Sequence, residues 1–174
     1  MQRELIVGGG CFWCTEAVFE LLKGVSDVES GYANGHTPNP TYRDICTGDT
    51  GYAEVIKITY DDSIITVETL LKIFFVIHDP TTLNRQGADR GTQYRSTILY
   101  TDKGTKEAAE ATMEAAQADW NDPIVTKIEP LENYYKAEAY HQDYYQQNPM
   151  QGYCMAVIPP KLQKLKAKFG KEVR

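Results

Sequence analysis

The sequence contains no long hydrophobic run, which excludes a helix that crosses a membrane. None of its apolar stretches approaches the roughly 20 residues that such a helix needs. Residues 1–7 also lack a basic segment followed by a long apolar core, so we expect no signal peptide and a cytoplasmic location. Internal repeats and linker-like stretches are missing as well. The 174 residues therefore predict a single domain, 1–174, with a C-terminal tail at about 150–174.

Positive charge is scarce, because 18 Lys and Arg residues stand against 24 Asp and Glu residues, for a net charge of −6. This balance argues against nucleic acid as a default partner. We also expect no membrane partner and a monomeric chain. The three histidines are scattered and only one Cys-x-x-Cys pair exists, so no zinc site is predicted. We likewise expect no other metal and no bound organic cofactor.

Cysteine is limited to four residues, Cys11, Cys14, Cys46 and Cys154. In a chain without an export signal such thiols start out reduced, which disfavours a structural disulfide framework. With a metal site disfavoured too, redox chemistry is the preferred interpretation of these thiols.

The order of predicted elements indicates an α+β fold. Strands are predicted at 4–8, 25–32, 53–60, 97–101 and 124–129, and helices at about 11–23, 67–77, 104–119 and after Pro160. Two long polar loops, 33–51 and 79–95, are of a length that is usually functional. The pattern predicts a two-layer sandwich, in which helices cover one face of a mixed sheet, of the ferredoxin-like split βαβ type.

The most informative stretch is Gly-Gly-Gly-Cys-Phe-Trp-Cys at 8–14. The glycines allow a sharp turn off a strand, which places Cys11 at the start of a helix. Unpaired N–H groups and the helix dipole favour an anion there, so a stabilised thiolate is predicted. Cys14 lies three residues further on the same face, within reach of a disulfide. It also belongs to the apolar stripe of the helix, so core packing and redox partnership are equally supported.

Glu54 is the second residue of interest because it shares strand parity with Ile56, Ile58 and Tyr60, which places it on the apolar side. Burial there would raise the pKa of its carboxyl and make it a general acid near neutral pH, although a Glu at a strand end can also turn to solvent. Of 12 tyrosines, Tyr42 and Tyr94 stand in the two long loops. A phenol can donate to a substrate oxygen, but position alone singles out neither tyrosine, nor the loop residue Asp89.

Several longer motifs occur together and in order along most of the chain. They are Gly-Gly-Cys-Phe-Trp-Cys-Thr-Glu (9–16), Asn-Pro-Thr-Tyr (39–42), Gly-Asp-Thr-Gly-Tyr-Ala-Glu (48–54), His-Asp-Pro (78–80), Asn-Arg-Gln-Gly-Ala-Asp-Arg-Gly-Thr-Gln-Tyr-Arg-Ser (84–96), Tyr-His-Gln (140–142) and Gly-Tyr-Cys (152–154). In this combination the sequence resembles the peptide methionine sulfoxide reductases of the A type. The resemblance implies an α+β fold and reduction of the S epimer of methionine sulfoxide, free or in proteins, with thioredoxin as the reductant.

The resemblance also implies residue roles. Cys11 matches the nucleophile and Glu54 the proton donor. Tyr42 and Tyr94 match phenols that bind the substrate oxygen, and Asp89 matches a supporting hydrogen-bonding residue. The neighbouring aromatic pair Phe12 and Trp13 matches the apolar pocket for the substrate methyl group.

The thiol that resolves oxidised Cys11 has two candidates, Cys154 and Cys14. Cys154 resembles the usual resolving position near the C-terminus, whereas many family members have Gly in place of Cys14. We expect Cys154 to resolve, with Cys14 as a rival or a second relay, and Cys46 as a bystander. His78 and His141 are expected to be structural hydrogen-bonding residues.

Two other functions are compatible with parts of the sequence. A general thiol–disulfide oxidoreductase would need only Cys11 and Cys14, and leaves Glu54 and the tyrosine loops without a task. A non-catalytic module would bind methionine-rich segments through Phe12, Trp13 and the loop aromatics. The number of matching motifs favours the reductase over both.

Overall fold

The computed structural model describes residues 1–174 and contains eight strands and six α-helices. The strands are β1 (Gln2–Gly8), β2 (Val25–Ala33), β3 (Ala53–Asp61), β4 (Arg85–Gln86), β5 (Asp89–Arg90), β6 (Thr97–Tyr100), β7 (Lys127–Pro130) and β8 (Tyr134–Lys136). The helices are α1 (Phe12–Phe19), α2 (Tyr42–Cys46), α3 (Val67–Ile77), α4 (Lys103–Ala116), α5 (Tyr144–Gln147) and α6 (Gly152–Phe169). No helix is both long and apolar enough to cross a membrane.

Six strands form one mixed sheet in the order β7-β6-β1-β3-β2-β8. All neighbours run antiparallel except β6 and β7, which are parallel. The short strands β4 and β5 form a separate hairpin in the second long loop. The predicted α+β class with a mixed sheet is confirmed.

The main core lies between one face of the sheet and the helices α1, α3, α4 and α6. Strand residues such as Val7, Ile56 and Ile98 pack there against helical residues such as Phe19 and Phe74. The opposite face carries a much smaller cluster of five buried residues: Ile6, Ala33, Ala53, Val55 and Leu99. Because β3 alternates between the two clusters, residue parity along this strand decides which side chains face the helices.

Three predicted elements need correction. Helix α1 ends at Phe19 rather than near Gly24, because the last residues of the chain form hydrogen bonds with the backbone of the turn that follows the helix. The Lys23 N–H donates to the Glu172 carbonyl at 2.7 Å, and the Arg174 N–H donates to the Leu21 carbonyl at 2.9 Å. These bonds compete with continuation of the helix.

The first long loop contains the helix α2, which was not predicted. Thr41 accepts a hydrogen bond from the Asp44 N–H at 3.2 Å, and Asp44 accepts one from the Thr41 N–H at 3.0 Å. This reciprocal capping box stabilises a helix too short to show hydrophobic periodicity.

Helix α6 begins at Gly152, well before the predicted start after Pro160. Pro159 and Pro160 lie inside it, where proline ordinarily breaks a helix at a cost of about 3 kcal/mol. Burial of Cys154, Ile158 and Leu165 along one face opposes that cost. The early start places the predicted tail cysteine next to α1.

Candidate active site

Cys11 lies where the chain leaves the sheet and enters α1. Gly10 makes the turn with a φ of +92°, and a Cβ at this position would stand 2.6 Å from the side chain of Gln86. Only glycine combines that backbone angle with so close an approach. Cys11 then occupies the N-cap position in an extended conformation, with 8 % of its surface exposed.

The prediction of a thiolate at the helix start is wrong for the resting protein. Burial raises the pKa of the Cys11 thiol well above its ordinary value, and its hydrogen bond to Cys14 and the nearby Glu54 raise it further. Desolvation of the charged form thus outweighs the partial positive charge of the helix terminus. Cys11 is therefore a neutral thiol at neutral pH, and its activation needs a partner that handles its proton.

Glu54 is the second residue of β3 and points to the helical side, as its parity predicts, with only 1 % of its surface exposed. Its Oε1 accepts a hydrogen bond from the Phe12 N–H at 3.2 Å, which fixes the carboxyl next to the start of α1. Its Oε2 has no hydrogen-bonding partner. Burial raises the pKa of this carboxyl to about 8. Glu54 is thus a protonated acid with one oxygen free to face a substrate.

The two loop tyrosines converge on this carboxyl. Tyr42 is the first residue of α2, and Tyr94 ends a single 3₁₀ turn at Thr92–Tyr94. Burial raises the pKa of both phenols, and the charge of Glu54 raises both further. Each hydroxyl therefore stays a hydrogen-bond donor at any physiological pH.

Asp89 reaches the same region from β5 through Tyr153. The Tyr153 hydroxyl donates to Asp89 Oδ2 and lies 3.9 Å from the Cys14 sulfur. These three residues and Cys11 line a pocket of about 100 Å³, together with Gly9, Gln86, Gly87, Ala88, Val157 and Lys161. A larger polar groove of about 730 Å³ is lined by none of the four cysteines. The smaller pocket contains Cys11, Cys14 and Asp89, whereas the other predicted site residues, Glu54, Tyr42, Tyr94, Phe12 and Trp13, do not line it.

Phe12 and Trp13 differ in accessibility. Phe12 is fully buried and stacks on Tyr42 with ring centroids 6.5 Å apart. Trp13 is half-buried, and its indole N–H donates to His141 Nδ1 at 3.0 Å. One indole face is covered by Tyr144, at a centroid distance of 3.8 Å. Of the two, Trp13 offers the accessible apolar surface, and Phe12 supports it and Tyr42.

The remaining cysteines divide into a buried and an exposed position. Cys154 is fully buried in one cluster with Cys11 and Cys14, because the first turn of α6 packs against α1. Cys46 is exposed at the end of α2. All four cysteines are free thiols. The structure thus brings three of the four thiols together in one buried cluster, and two of them, Cys11 and Cys14, line the pocket.

The two histidines expected to be structural are both hydrogen-bonded. His78 is fully buried, and its Nε2 pairs with Ser96 Oγ at 2.8 Å. Burial lowers the pKa of His78 to about 3, so it stays neutral. His141 accepts from the indole of Trp13. The expectation of structural hydrogen-bonding histidines is confirmed.

Comparison with known proteins gives a consistent result. The family model described as peptide methionine sulfoxide reductase matches residues 3–173. The chain belongs to this family. A relative from Acinetobacter baumannii, the peptide methionine sulfoxide reductase MsrA, is 54 % identical over 168 residues, which cover 97 % of this chain and 96 % of the relative. The chain is therefore an oxidoreductase of the methionine sulfoxide reductase type.

Solved structures agree with this family. The reduced form of Mxr1 from Saccharomyces cerevisiae matches the reductase with a TM-score of 0.84 at 38 % identity, covering 88 % of this chain and 89 % of that one. Mxr1 in complex with Trx2 matches with a TM-score of 0.59 at 28 % identity, covering 82 % of this chain and 84 % of that one.

Four residues of the reductase site had no role assigned from the sequence: Tyr153, Tyr144, His141 as the partner of Trp13, and Glu138. Glu138 accepts hydrogen bonds from the Tyr42 N–H at 2.9 Å and the Tyr32 hydroxyl at 2.8 Å, and so anchors the start of α2. The signal for His141 and Tyr153 was present in the motifs Tyr-His-Gln and Gly-Tyr-Cys. Their contacts lie 128 and 64 residues away along the chain, beyond any local pattern.

Proposed function

We propose that this reductase converts methionine S-sulfoxide, free or in proteins, to methionine by attack of Cys11 on the sulfoxide sulfur. The observation that carries the proposal is the carboxyl of Glu54. It is buried, it is protonated up to a pH of about 8, and its Oε2 has no protein partner beside the nucleophile. A reaction that removes oxygen from sulfur needs an acid of this kind at neutral pH.

The first chemical step follows from two neutral groups. Glu54 gives its proton to the sulfoxide oxygen, while the phenols of Tyr42 and Tyr94 donate hydrogen bonds to it. The sulfur becomes electrophilic, Cys11 attacks, and the Cys11 proton passes to the Glu54 carboxylate. The hydroxyl group then moves from the substrate sulfur to the Cys11 sulfur as the S–O bond and the newly formed S–S bond break, so that methionine leaves and Cys11 becomes a sulfenic acid. Glu54 ends the step protonated, as it began.

The arrangement of the thiols supports a relay rather than one resolving cysteine. Cys14 lines the same small pocket as Cys11, and Cys154 is buried in one cluster with both. Cys14 condenses with the sulfenic acid to form a Cys11–Cys14 disulfide and water. Cys154 then attacks Cys14, which forms a Cys14–Cys154 disulfide and releases Cys11 as a thiol. This order gives Cys14 the first role and Cys154, favoured by family resemblance, the second.

We propose thioredoxin as the final reductant, which reopens the last disulfide by thiol exchange. The complex of the yeast relative with Trx2 supports this assignment. Cys154 is fully buried, so the first turn of α6 has to move before a protein thiol can reach it.

Further assignments accompany the proposal. The four central strands are suggested to follow the ferredoxin-like split βαβ scheme, because β3 lies between β1 and β2, which α1 connects. The chain is proposed to act as a single-domain monomer in the cytoplasm, without a metal or bound cofactor. Sedimentation tests the monomeric state, and cell fractionation tests the cytoplasmic location.

The decisive experiment uses separated S and R epimers of a methionine sulfoxide peptide with dithiothreitol, followed by mass spectrometry. We expect reduction of the S epimer alone, full loss in Cys11→Ser, and normal rates in Cys46→Ser as the matched control. Reduction of neither epimer by protein with free thiols would overturn the proposal. Rapid turnover of an insulin disulfide without any sulfoxide reduction would favour a general thiol–disulfide oxidoreductase instead.

A further inference from the structure

The pocket beside the thiol pair contains a single cationic side chain, Lys161 of α6. Its Nζ donates to the Ile77 carbonyl at the end of α3, at 2.9 Å, so the long side chain is held in one place. Lys161 follows directly after Pro159 and Pro160 in α6, the helix that packs against α1. Lys161, Cys11 and Cys14 line the same small cavity. None of the steps described above uses this ammonium group.

The two candidate resolving thiols have different electrostatic surroundings. The hydrogen bond from Cys11 lowers the pKa of the Cys14 thiol, burial opposes this effect, and the Lys161 charge lowers the pKa further. Burial raises the pKa of the Cys154 thiol, and no cation contributes to this shift. Of the two thiols, Cys14 is the one with a built-in counter-charge.

We propose that Lys161 is a positioning residue of the reductase, whose ammonium group holds Cys14 as the thiolate that attacks oxidised Cys11. This inference rests on the proposed function and assigns the origin of reactivity in its second step. In that step the Cys14 sulfur forms a bond to the Cys11 sulfur, and the S–O bond of the sulfenic acid breaks. The oxygen leaves as hydroxide and takes up one proton, so that the sum is a disulfide and water.

Oxidation of Cys11 makes the cation more important. In the resting protein the Cys11 S–H is the largest cause that lowers the pKa of Cys14. A sulfenic acid carries its proton on oxygen instead of sulfur, so the S–H donor is gone when Cys14 has to react, whereas the Lys161 charge is unaffected. Lys161 remains in place because its anchor, the Ile77 carbonyl, takes no part in the chemistry.

Other charged and titratable groups face this region. The titratable groups near Cys14 are Cys11 at the start of α1, Glu54 of β3, Asp89 of the β4–β5 hairpin, and Tyr153 and Cys154 of α6. The charged side chains near Lys161 include Asp79, which follows α3, and Lys164 on the same helix. Burial lowers the pKa of Lys161 and Lys164 lowers it further, whereas Cys14, Asp79 and Asp89 oppose this decrease. Lys161 is the cation that lowers the pKa of Cys14, so its removal has a directed effect.

The test is a single turnover in a Cys154→Ser background, with methionine and the Cys11–Cys14 disulfide quantified by quenched mass spectrometry. Lys161→Met keeps the hydrocarbon stem and removes the charge. We expect disulfide formation at pH 7 to slow about tenfold more than methionine formation, because loss of the cation shifts its pH profile upward by about one unit. Lys161→Arg restores most of the rate, and Lys168→Met, an exposed lysine of the same helix, serves as the matched control.

Equal slowing of both steps in Lys161→Met, or an unchanged pH profile, would overturn the proposal. Absence of methionine formation in the unmutated protein would instead refute the proposed function, so the two failures are distinguishable. A second measurement needs no substitution of Lys161. In protein labelled with ¹³C at cysteine Cβ, Cys14 should titrate at lower pH than Cys154, and the reverse order would refute the proposal.

Discussion

Two glutamates, Glu54 on β3 and Glu16 on α1, are buried to the same degree but have different surroundings. Each has 1 % of its surface exposed, and burial raises the pKa of each carboxyl to about 8. The Glu16 Oε2 accepts a hydrogen bond from the Ser30 hydroxyl at 3.4 Å, and the backbone N–H groups of Asp143 and Tyr144 lower the pKa of Glu16 against the effect of burial. Glu54 accepts only from the Phe12 N–H and keeps Oε2 unpaired.

The comparison shows that a perturbed pKa does not by itself identify a catalytic group. Burial gives both carboxyls the protonation state of a general acid at neutral pH. The Glu16 carboxyl is occupied by interactions that connect α1 to β2 and to the turn before α5. Glu54 leaves one oxygen free beside Cys11, and an unsatisfied buried acceptor is costly unless a ligand completes it. The unpaired atom is therefore the more specific sign of function.

The strongest test of this contrast is to neutralise each glutamate in turn. Glu54→Gln should lower kcat by about 10²–10⁴-fold, because the amide cannot give a proton to the sulfoxide oxygen. Glu16→Gln should stay within a few-fold of the unmutated rate. Steady-state assays on the S-sulfoxide peptide measure both. Similar losses in the two variants would mean that the acid has not been identified.

The pH profile sharpens the same contrast. Glu54 has to be protonated to act, so kcat/KM should be level below its pKa of about 8 and fall about tenfold per pH unit above it. The break near pH 8 should persist in Glu16→Gln and vanish from the residual activity of Glu54→Gln. A rate that keeps rising through pH 8 would show that a free Cys11 thiolate limits the reaction instead.

The phenols that face Glu54 should have smaller effects. Tyr42→Phe and Tyr94→Phe each remove one hydrogen bond to the substrate oxygen and should lower kcat/KM by about tenfold to a hundredfold. Tyr134→Phe is the matched control, because its hydroxyl donates to Glu29 at 2.7 Å on the surface of the sheet. A loss in the control equal to that in the site variants would point to a general structural effect of phenol removal.

A separate effect concerns stability, where the two glutamates should behave alike. The folded chain keeps two carboxyl protons that the unfolded chain releases between pH 4.5 and about 8. The free energy of unfolding should therefore be highest below pH 4.5 and decrease as the pH rises, by at most about 1.4 kcal/mol per pH unit for each group. Each Gln variant should flatten this slope by a similar amount. Urea titrations at several pH values measure it, and unchanged slopes would contradict the shared burial effect.

The sequence predicted those features that depend on local pattern. The helix at 67–77 follows from apolar spacing, and the Thr66 hydroxyl just before it accepts a hydrogen bond from the Thr69 N–H at 3.2 Å. The inward direction of Glu54 follows from strand parity alone. Family motifs, rather than spacing, were needed to select Tyr42 and Tyr94 among 12 tyrosines.

Features that depend on tertiary packing were beyond such patterns. The helix α6 continues through two prolines because its apolar face is buried on distant elements, and no local rule contains that energy. The thiolate predicted at Cys11 was wrong because the helix start is visible in the sequence, whereas the depth of burial is not. Lys161 carries no local signal of its position, because only the fold places it in the pocket beside Cys11 and Cys14.

The single exposed thiol of the chain provides a practical handle. Cys46 is open to solvent, whereas the other three cysteines have 8 % or less of their surface exposed. A maleimide dye should therefore attach to Cys46 first, without any engineered cysteine. Because Tyr42 lies one helical turn earlier on α2, the fluorescence of such a label would report in real time when a sulfoxide enters and leaves the site.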